Sequence, residues 1–311
     1  MDTFVLLQSL IKLFSILILG YFLNKRGFFD AHTNQQLSKL VSSVTAPLLV
    51  ISSVLNAEGT TAKRELLAAL GIGFILYPAL ILMAILLTKL LRVPKDQTNM
   101  YRFMLAFSNY SFLGYPILEA TLGSDAIFLA ALLHFPCHML IYSYGMNGIR
   151  ADKADDSEKK VKFSPRLLLH PGTIMSTIAV IIFLAGWSFP ALINDTVAMI
   201  GGLTSPLSMI VIGSTLAEFP IRECGKDGRI YLMAICRLFL LPVLFFYLFR
   251  LFGANDYLSM IALITIGMPS ASMSVMFANT FGVNQKTAAQ GVLITTAASV
   301  VTIPILVTLL F

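Results

Sequence analysis

Apolar stretches of close to 20 residues, separated by short polar turns, run the whole length of the chain. A hydrocarbon layer about 30 Å thick is crossed by about 20 helical residues, so the pattern predicts ten spanning helices, at 3–23, 35–56, 66–90, 99–121, 125–148, 167–188, 191–217, 229–251, 256–281 and 285–310. One longer charged segment, Arg150 to Arg166, divides them. The expected organisation is a five-helix unit over 1–149, a charged cytoplasmic linker over 150–166 and a second five-helix unit over 167–311.

Two of the predicted helices carry a Gly-x-Pro interruption: Gly114-Tyr115-Pro116 in the fourth and Gly267-Met268-Pro269 in the ninth. Proline removes a backbone N–H and clashes with the carbonyl four residues earlier, here Phe112 and Thr265, while glycine permits a sharp turn. In hydrocarbon such a break persists only where protein, water or a ligand satisfies the freed groups. Matched breaks at corresponding positions of two halves point to a midplane binding site.

The halves show further parallels. A Gly-aromatic pair closes helices 1 and 6 (Gly20-Tyr21, Gly186-Trp187); Thr45-Ala46-Pro47 in helix 2 matches Thr204-Ser205-Pro206 in helix 7, and Pro78 in helix 3 matches Pro242 in helix 8. Matched positions stay about 153 to 166 residues apart, so four pairs keep order and spacing. Five helices is an odd number, so the second copy enters from the opposite face and the halves are inverted repeats. The fold class expected from these observations is an all-α polytopic membrane protein of ten helices, with broken crossover helices 4 and 9.

Composition agrees: 57% of the 311 residues are hydrophobic, 12% are charged, and the mean hydropathy is +0.82. The net charge of +6 informs mainly through its placement. An outside N-terminus puts about seventeen of the 22 Lys and Arg on the cytoplasmic side and leaves Lys63, Arg64 and Arg250 outside, which sets both termini outside. These basic loops read as orientation and anionic-lipid signals, with no support for nucleic-acid binding. Cys137, Cys224 and Cys236 show neither an extracellular pair nor a metal-ligand spacing, so free thiols are expected. The first apolar run is followed by Lys25-Arg26 and reads as a retained helix, not a signal peptide.

Around the interruptions small hydroxyls and one amide cluster. Half-helix N-termini facing one space would hold a carboxylate without a dedicated cation. The expected substrate-binding set is Asn109, Gly114, Tyr115, Pro116, Gly267, Met268, Pro269, Ser270 and Ser272, with Asn109 foremost because its amide both donates and accepts. Thr45, Pro47, Thr204 and Pro206 read as hinge or scaffold positions. Ionisable residues at membrane depth are candidates for charge or proton coupling: Lys12, Glu119, His134 and Arg237. Arg237, about two turns inside helix 8, is expected to snorkel to the cytoplasmic interface; Lys12, deeper, needs a cavity or a partner. His134 and His138 have i, i+4 spacing but no third ligand nearby in sequence, so no metal is expected.

At these residues the chain resembles the auxin efflux carrier family, specifically its short bacterial members of organic-acid permease type. The carrying features are Ser108-Asn109-Tyr110-Ser111-Phe112-Leu113-Gly114-Tyr115-Pro116, Met268-Pro269-Ser270-Ala271, and Thr295-Thr296-Ala297-Ala298-Ser299 followed by Pro304. Ser111 stands where the family usually has glycine. The resemblance implies a fold similar to sodium/proton antiporters and bile-acid symporters, in which helices 1, 2, 6 and 7 form a dimerising scaffold and helices 3–5 and 8–10 an elevator-like transport domain. It also implies a multi-pass protein of the plasma (bacterial inner) membrane whose partners are the bilayer, a second copy and a small organic anion, such as malate, malonate or an auxin-like acid. The short linker argues against plant-type regulation by loop phosphorylation.

The function expected is secondary transport of such anions by alternating access, with no cofactor. A sodium-coupled organic-anion symporter and a non-transporting receptor or sensor on the same fold are the alternatives; the candidate coupling ions are a proton and sodium. An intramembrane enzyme is disfavoured, since His-Glu-x-x-His is absent and Asp155-Asp156 lies in the charged linker.

Overall fold

The structure is a computed structural model that describes residues 3–55, 63–152, 171–218, 227–251 and 255–310. Most of the Arg150–Arg166 linker, the start of the expected sixth helix and Cys224 lie outside the described residues. The elements in chain order are α1 (Thr3–Lys25), α2 (Ala31–Leu40), α3 (Ala46–Leu55), α4 (Lys63–Leu90), α5 (Thr98–Ala106), α6 (Tyr115–Leu122), α7 (Ser124–Leu140), α8 (Met146–Ala151), α9 (Pro171–Ala185), α10 (Ala191–Gly202), α11 (Thr204–Glu218), α12 (Gly228–Ile235), α13 (Leu241–Leu251), α14 (Asp256–Gly267), α15 (Met273–Phe281) and α16 (Gln285–Leu310). The protein is all-helical among the described residues, apart from one isolated antiparallel bridge. Helix is the local structure that pairs every backbone group within its own segment, which a chain this apolar requires.

Among the described residues, six helical stretches are long and apolar enough to cross a membrane: Ala31–Leu55, Arg64–Leu90, Ser124–Ala151, Ala191–Glu218, Gly228–Leu251 and Gln285–Leu310. The protein is therefore a polytopic, membrane-embedded helical bundle. The segments expected as helices 4 and 9 are each divided into two half-length helices, α5 with α6 and α14 with α15. Large apolar side chains such as Ile75, Leu82, Leu192 and Met199 are exposed on the outside, where lipid takes the place of water.

Proline alone does not break these helices. α4 runs unbroken through Pro78, α7 through Pro136 and α16 through Pro304. Elsewhere a π-helical turn immediately precedes a proline-bearing helix start: Val41–Thr45 before Pro47, Tyr110–Gly114 before Pro116 and Cys236–Leu240 before Pro242. The wider turn contains the residue four before each proline, the position whose carbonyl the ring would otherwise strike.

Many of the helix contacts fall within two groups, which are joined by the packing of α7 on α3 and α9 and of α6 on α1. α1 lies along α11, and α3 packs against α9 and α10; α4 packs against α5 and α7, α13 against α14, and α16 against α12 and α15. The α1–α11 approach is close enough to require glycine. A Cβ on Gly213 would stand 1.8 Å from the Leu17 carbonyl oxygen, and one on Gly20 would stand 2.3 Å from that of Ile210. Small residues let membrane helices approach backbone to backbone, where dispersion replaces the hydrophobic drive.

Candidate functional site at the crossing of two broken helices

Helix α5 ends at Ala106, and its chain turns extended at Phe107. The next helical turn starts at Tyr110, so the break falls at 107–109, upstream of Pro116, which sits at the start of α6. Helix α14 ends at Gly267, Met268 is extended, and α15 begins at Met273, leaving Pro269 inside the break. Pro116 stands in the first turn of α6 behind the π turn, whereas Pro269 lies ahead of α15 and outside its first turn. In α14 the Thr265 carbonyl, expected to be freed, accepts from the Met268 N–H at 3.4 Å.

The two breaks meet. Ser108 and Ser270 form the antiparallel bridge, flanked by the Asn109 N–H donating to Pro269 O at 2.8 Å and the Ala271 N–H donating to Phe107 O at 3.0 Å. The Ser270 N–H donates to the Thr295 hydroxyl on α16 at 3.2 Å, and the Ser270 hydroxyl donates to Met104 O at 3.0 Å. Backbone groups lost to the helices are thus paired across the crossing. The Met268 side chain and Tyr110 fill the space beside Gly114, where a Cβ would lie 3.4 Å and 3.3 Å from them.

Arg237, on the π turn before α13, is fully buried. Instead of snorkelling, its guanidinium turns inward. Nε donates to Met268 O at 3.2 Å and Nη1 to Leu105 O at 2.8 Å, while Nη2 is buried without a partner among the described residues. Leu105 and Met268 close α5 and α14, so one cation caps the negative ends of both half-helices that terminate at the crossing. The carbonyl bonds offset the cost of burying a charge that no described carboxylate meets.

The opposite ends are open. The N–H groups of Tyr110, Ser111 and Phe112 at one half-helix start, and of Ser272 and Met273 at the other, have no hydrogen-bond partner among the described residues. Asn109 caps the first of these ends without a side-chain hydrogen bond to it. It is 5% exposed, and its amide makes no other hydrogen bond among the described residues. Ser111 and Phe112 are half-buried and Ser272 is exposed. Of the expected binding set, then, Asn109 and Ser272 carry polar side chains with no hydrogen bond among the described residues, Ser270 is engaged internally, Tyr115 and Met268 pack against neighbouring side chains, and Gly114, Pro116, Gly267 and Pro269 shape the backbone.

Aromatic and imidazole rings back the fourth-helix break. Tyr110 stacks on His134 with ring centroids 3.9 Å apart, and its hydroxyl lies 2.8 Å from His138 Nε2. Tyr115 packs edge-on against both Tyr110 and His134. Neither ring nitrogen of His134 makes a hydrogen bond of normal geometry, and the described residues hold no group of three metal-ligating side chains.

The other ionisable candidates lie elsewhere. Glu119 accepts from the Ser205 hydroxyl at the start of α11, joining the half-helix α6 to the α1–α11 pair. Lys12 is exposed on the outer face of α1, beside the exposed Ile11. Sequence reasoning missed Ser108 and the hydroxyl of Thr295 as members of the crossing; the hydroxyl-rich run Thr295-Thr296-Ala297-Ala298-Ser299 was the available signal.

At the cytoplasmic ends predicted from the charge pattern, Asp152 accepts from the Asn99 and Met100 N–H groups at the start of α5, and from the Asn99 and Asn284 side chains. Asn284, in the turn between α15 and α16, also donates to Asp96 O. Burial pushes the Asp152 carboxyl up to about 6, against the opposing pull of these hydrogen bonds. A second set ties α1 and α2 to α11: Asn24 donates to Ser214, Asn34 to Glu218, and Lys25 to Ala217 O.

Comparison with known proteins gives a consistent picture. The family model described as "Membrane transport protein" matches residues 5–307. A Rhizobium meliloti (strain 1021) protein called "Putative malonate transporter" is 21% identical over 296 residues, covering 93% of this chain and 91% of its own. A Methanothermobacter thermautotrophicus protein called "Uncharacterized transporter" is 22% identical over 304 residues, covering 96% of each.

Proposed function

The chain belongs to the membrane transport protein family, the family of the auxin efflux carriers that its sequence resembles, and from that premise we propose that it is a secondary transporter of small organic anions. The observation that carries this reading is the asymmetry of the crossing: the two half-helix C-termini have a resident cation, Arg237, whereas the two N-termini have no resident anion among the described residues. An arriving carboxylate completes the set by accepting from the free N–H groups, with the Asn109 amide and the Ser272 hydroxyl as side-chain donors. Malonate is the first solute to test, because one relative carries that word in its name.

In this reading the protein has ten spans in two inverted five-helix repeats. Helices 1, 2, 6 and 7 form a static, dimerising scaffold, and the remainder carries the crossing between the two faces of the plasma membrane, with both termini outside. The backbone-to-backbone approach of α1 and α11 supports a rigid scaffold, and Glu119–Ser205 is a polar contact between α6 and that pair. A hydrogen bond of this kind can break and re-form during transport.

The test is counterflow in proteoliposomes with labelled malonate, malate and an indole acid. Exchange that is lost in Asn109→Ala while the variant still inserts supports the reading. Binding without exchange marks a receptor, arrest on replacing sodium at fixed potential marks a sodium symporter, and unchanged exchange in Asn109→Ala removes the crossing as the site.

A further inference from the structure

Arg237 and the four half-helix ends define how much charge the crossing can hold. Each helix end carries about half an elementary charge, negative at the C-terminus and positive at the N-terminus. α5 and α14 both end at the crossing, so about one unit of negative charge gathers there, and the single guanidinium that donates to Leu105 O and Met268 O matches it. The helical segment starting at Tyr110 and the helix α15 both begin there, so about one unit of positive charge is left unmatched.

The described acidic residues do not fill that role. Glu119 is turned to Ser205, and Asp152 caps the far end of α5. Among the described residues no further cation serves the open side either. Arg237 is wholly buried, its spare Nη2 included; Arg102 is turned back onto Thr88 and Asn99; Lys12 faces outward from α1.

Resting on the anion-carrier reading above, we propose that the crossing accepts a single negative charge. The substrate binds as a monocarboxylate, or as a dicarboxylate that keeps one proton. Arg237 is a positioning residue in this account: it spends its charge on the two carbonyl ends, holds them in register and sets the charge count without touching substrate. A second carboxylate would find no described cation to meet it inside a membrane-embedded bundle, which is a steep penalty for a bare charge.

The probes are malonate and its monomethyl ester, which holds one negative charge over the range in which malonate gains its second. Affinities of the purified full-length protein are measured from pH 5 to pH 8. The ratio of the two cancels any titration of the protein itself, Asp152 included. The expected result is that the ester binds and that malonate weakens relative to it by about tenfold per pH unit above malonate's second ionisation, following the shrinking monoanion fraction.

A ratio that stays flat, or malonate binding that strengthens with pH, overturns the charge count while leaving an anion carrier intact. Binding of neither probe overturns both. Arg237→Lys is expected to keep the monoanion preference with weaker binding of both probes, and a well-folded Arg237→Gln to lose at least tenfold for both. Wild-type affinity in Arg237→Gln would show that Arg237 is not the balancing charge. The wild-type pH series stands by itself should that variant fail to fold.

Discussion

Ser108 and Ser270 stand opposite one another where two broken helices cross, between the Asn109-to-Pro269 and Ala271-to-Phe107 backbone hydrogen bonds of 2.8 and 3.0 Å. This short antiparallel pairing gives the breaks what an unbroken helix gives the rest of the bundle, a partner for backbone groups in a medium that offers none. The pairing is partial, and it spares the helix starts after Asn109 and at Ser272. Those unspent donors are the basis of the proposed anion site.

Asn109 tests whether the donors serve substrate. Its amide makes no hydrogen bond among the described residues, so Asn109→Ala removes no internal partner and should leave the melting temperature nearly unchanged. Affinity should fall by roughly tenfold or more, the worth of a hydrogen bond to a charged group at about 1.5–3 kcal/mol. Asn109→Asp should do the reverse to stability, adding about 0.3–1 kcal/mol by placing a negative charge at a helix N-terminus, while abolishing transport. Thermal unfolding paired with counterflow reads both. A large loss of stability in Asn109→Ala would show a structural amide.

Ser270 and Ser272 separate in the same assay. The Ser270 hydroxyl is bonded to Met104 O, so Ser270→Ala should cost about 1 kcal/mol of stability. Ser272 is exposed at a helix start, so Ser272→Ala should weaken substrate binding and leave unfolding unchanged. The opposite assignment of effects would place substrate on the wrong serine.

Much of the architecture was legible in the sequence because hydrocarbon imposes simple rules. About 20 apolar residues and a polar turn repeat along the chain, and the Gly-x-Pro signatures mark the two segments that break. The exact position of each break was not legible. It depends on where the partner backbone arrives, and the π turn at Tyr110–Gly114 moves the discontinuity several residues upstream of Pro116. Arg237 escaped for a related reason. Its distance from the membrane surface suggested snorkelling, whereas the carbonyls that hold it inside, Leu105 and Met268, lie about 132 and 31 residues away in sequence. Ser108 and Thr295 belong to the crossing through tertiary pairing alone.

The α1–α11 interface makes a steric prediction. Gly213→Ala places a methyl group 1.8 Å from a backbone oxygen of Leu17, which no side-chain rotation relieves, so the helices must separate and the melting temperature should drop sharply. Gly71→Ala is the control. Nothing lies within 4 Å of its added Cβ, and the gain in helix propensity is about 1 kcal/mol at most. Equal effects of the two substitutions on thermal unfolding would contradict the close crossing.

Asp152 makes a pH prediction. Burial raises its folded-state ionisation to about 6 from the ordinary 3.8, so between those values the folded protein holds a proton that the unfolded chain releases. Its contribution to stability is therefore full below about pH 4 and is lost as pH rises through about 6. Lowering the pH from 7.5 to 5 should raise the melting temperature of the wild type. Asp152→Asn should flatten that slope; a slope unchanged by the substitution would place the titrating group elsewhere.

The crossing itself is the central claim, and a disulfide across it is the most direct measurement. Directly opposed residues in a non-hydrogen-bonded antiparallel pair have Cα atoms about 4.5 Å apart, within disulfide range. Membranes containing Ser108→Cys/Ser270→Cys are oxidised mildly, and the product is mapped by peptide mass spectrometry so that Cys137, Cys224 and Cys236 are not mistaken for it. The account predicts a 108–270 disulfide in high yield. Free thiols at both positions in a folded, membrane-inserted protein would mean that the two breaks do not meet.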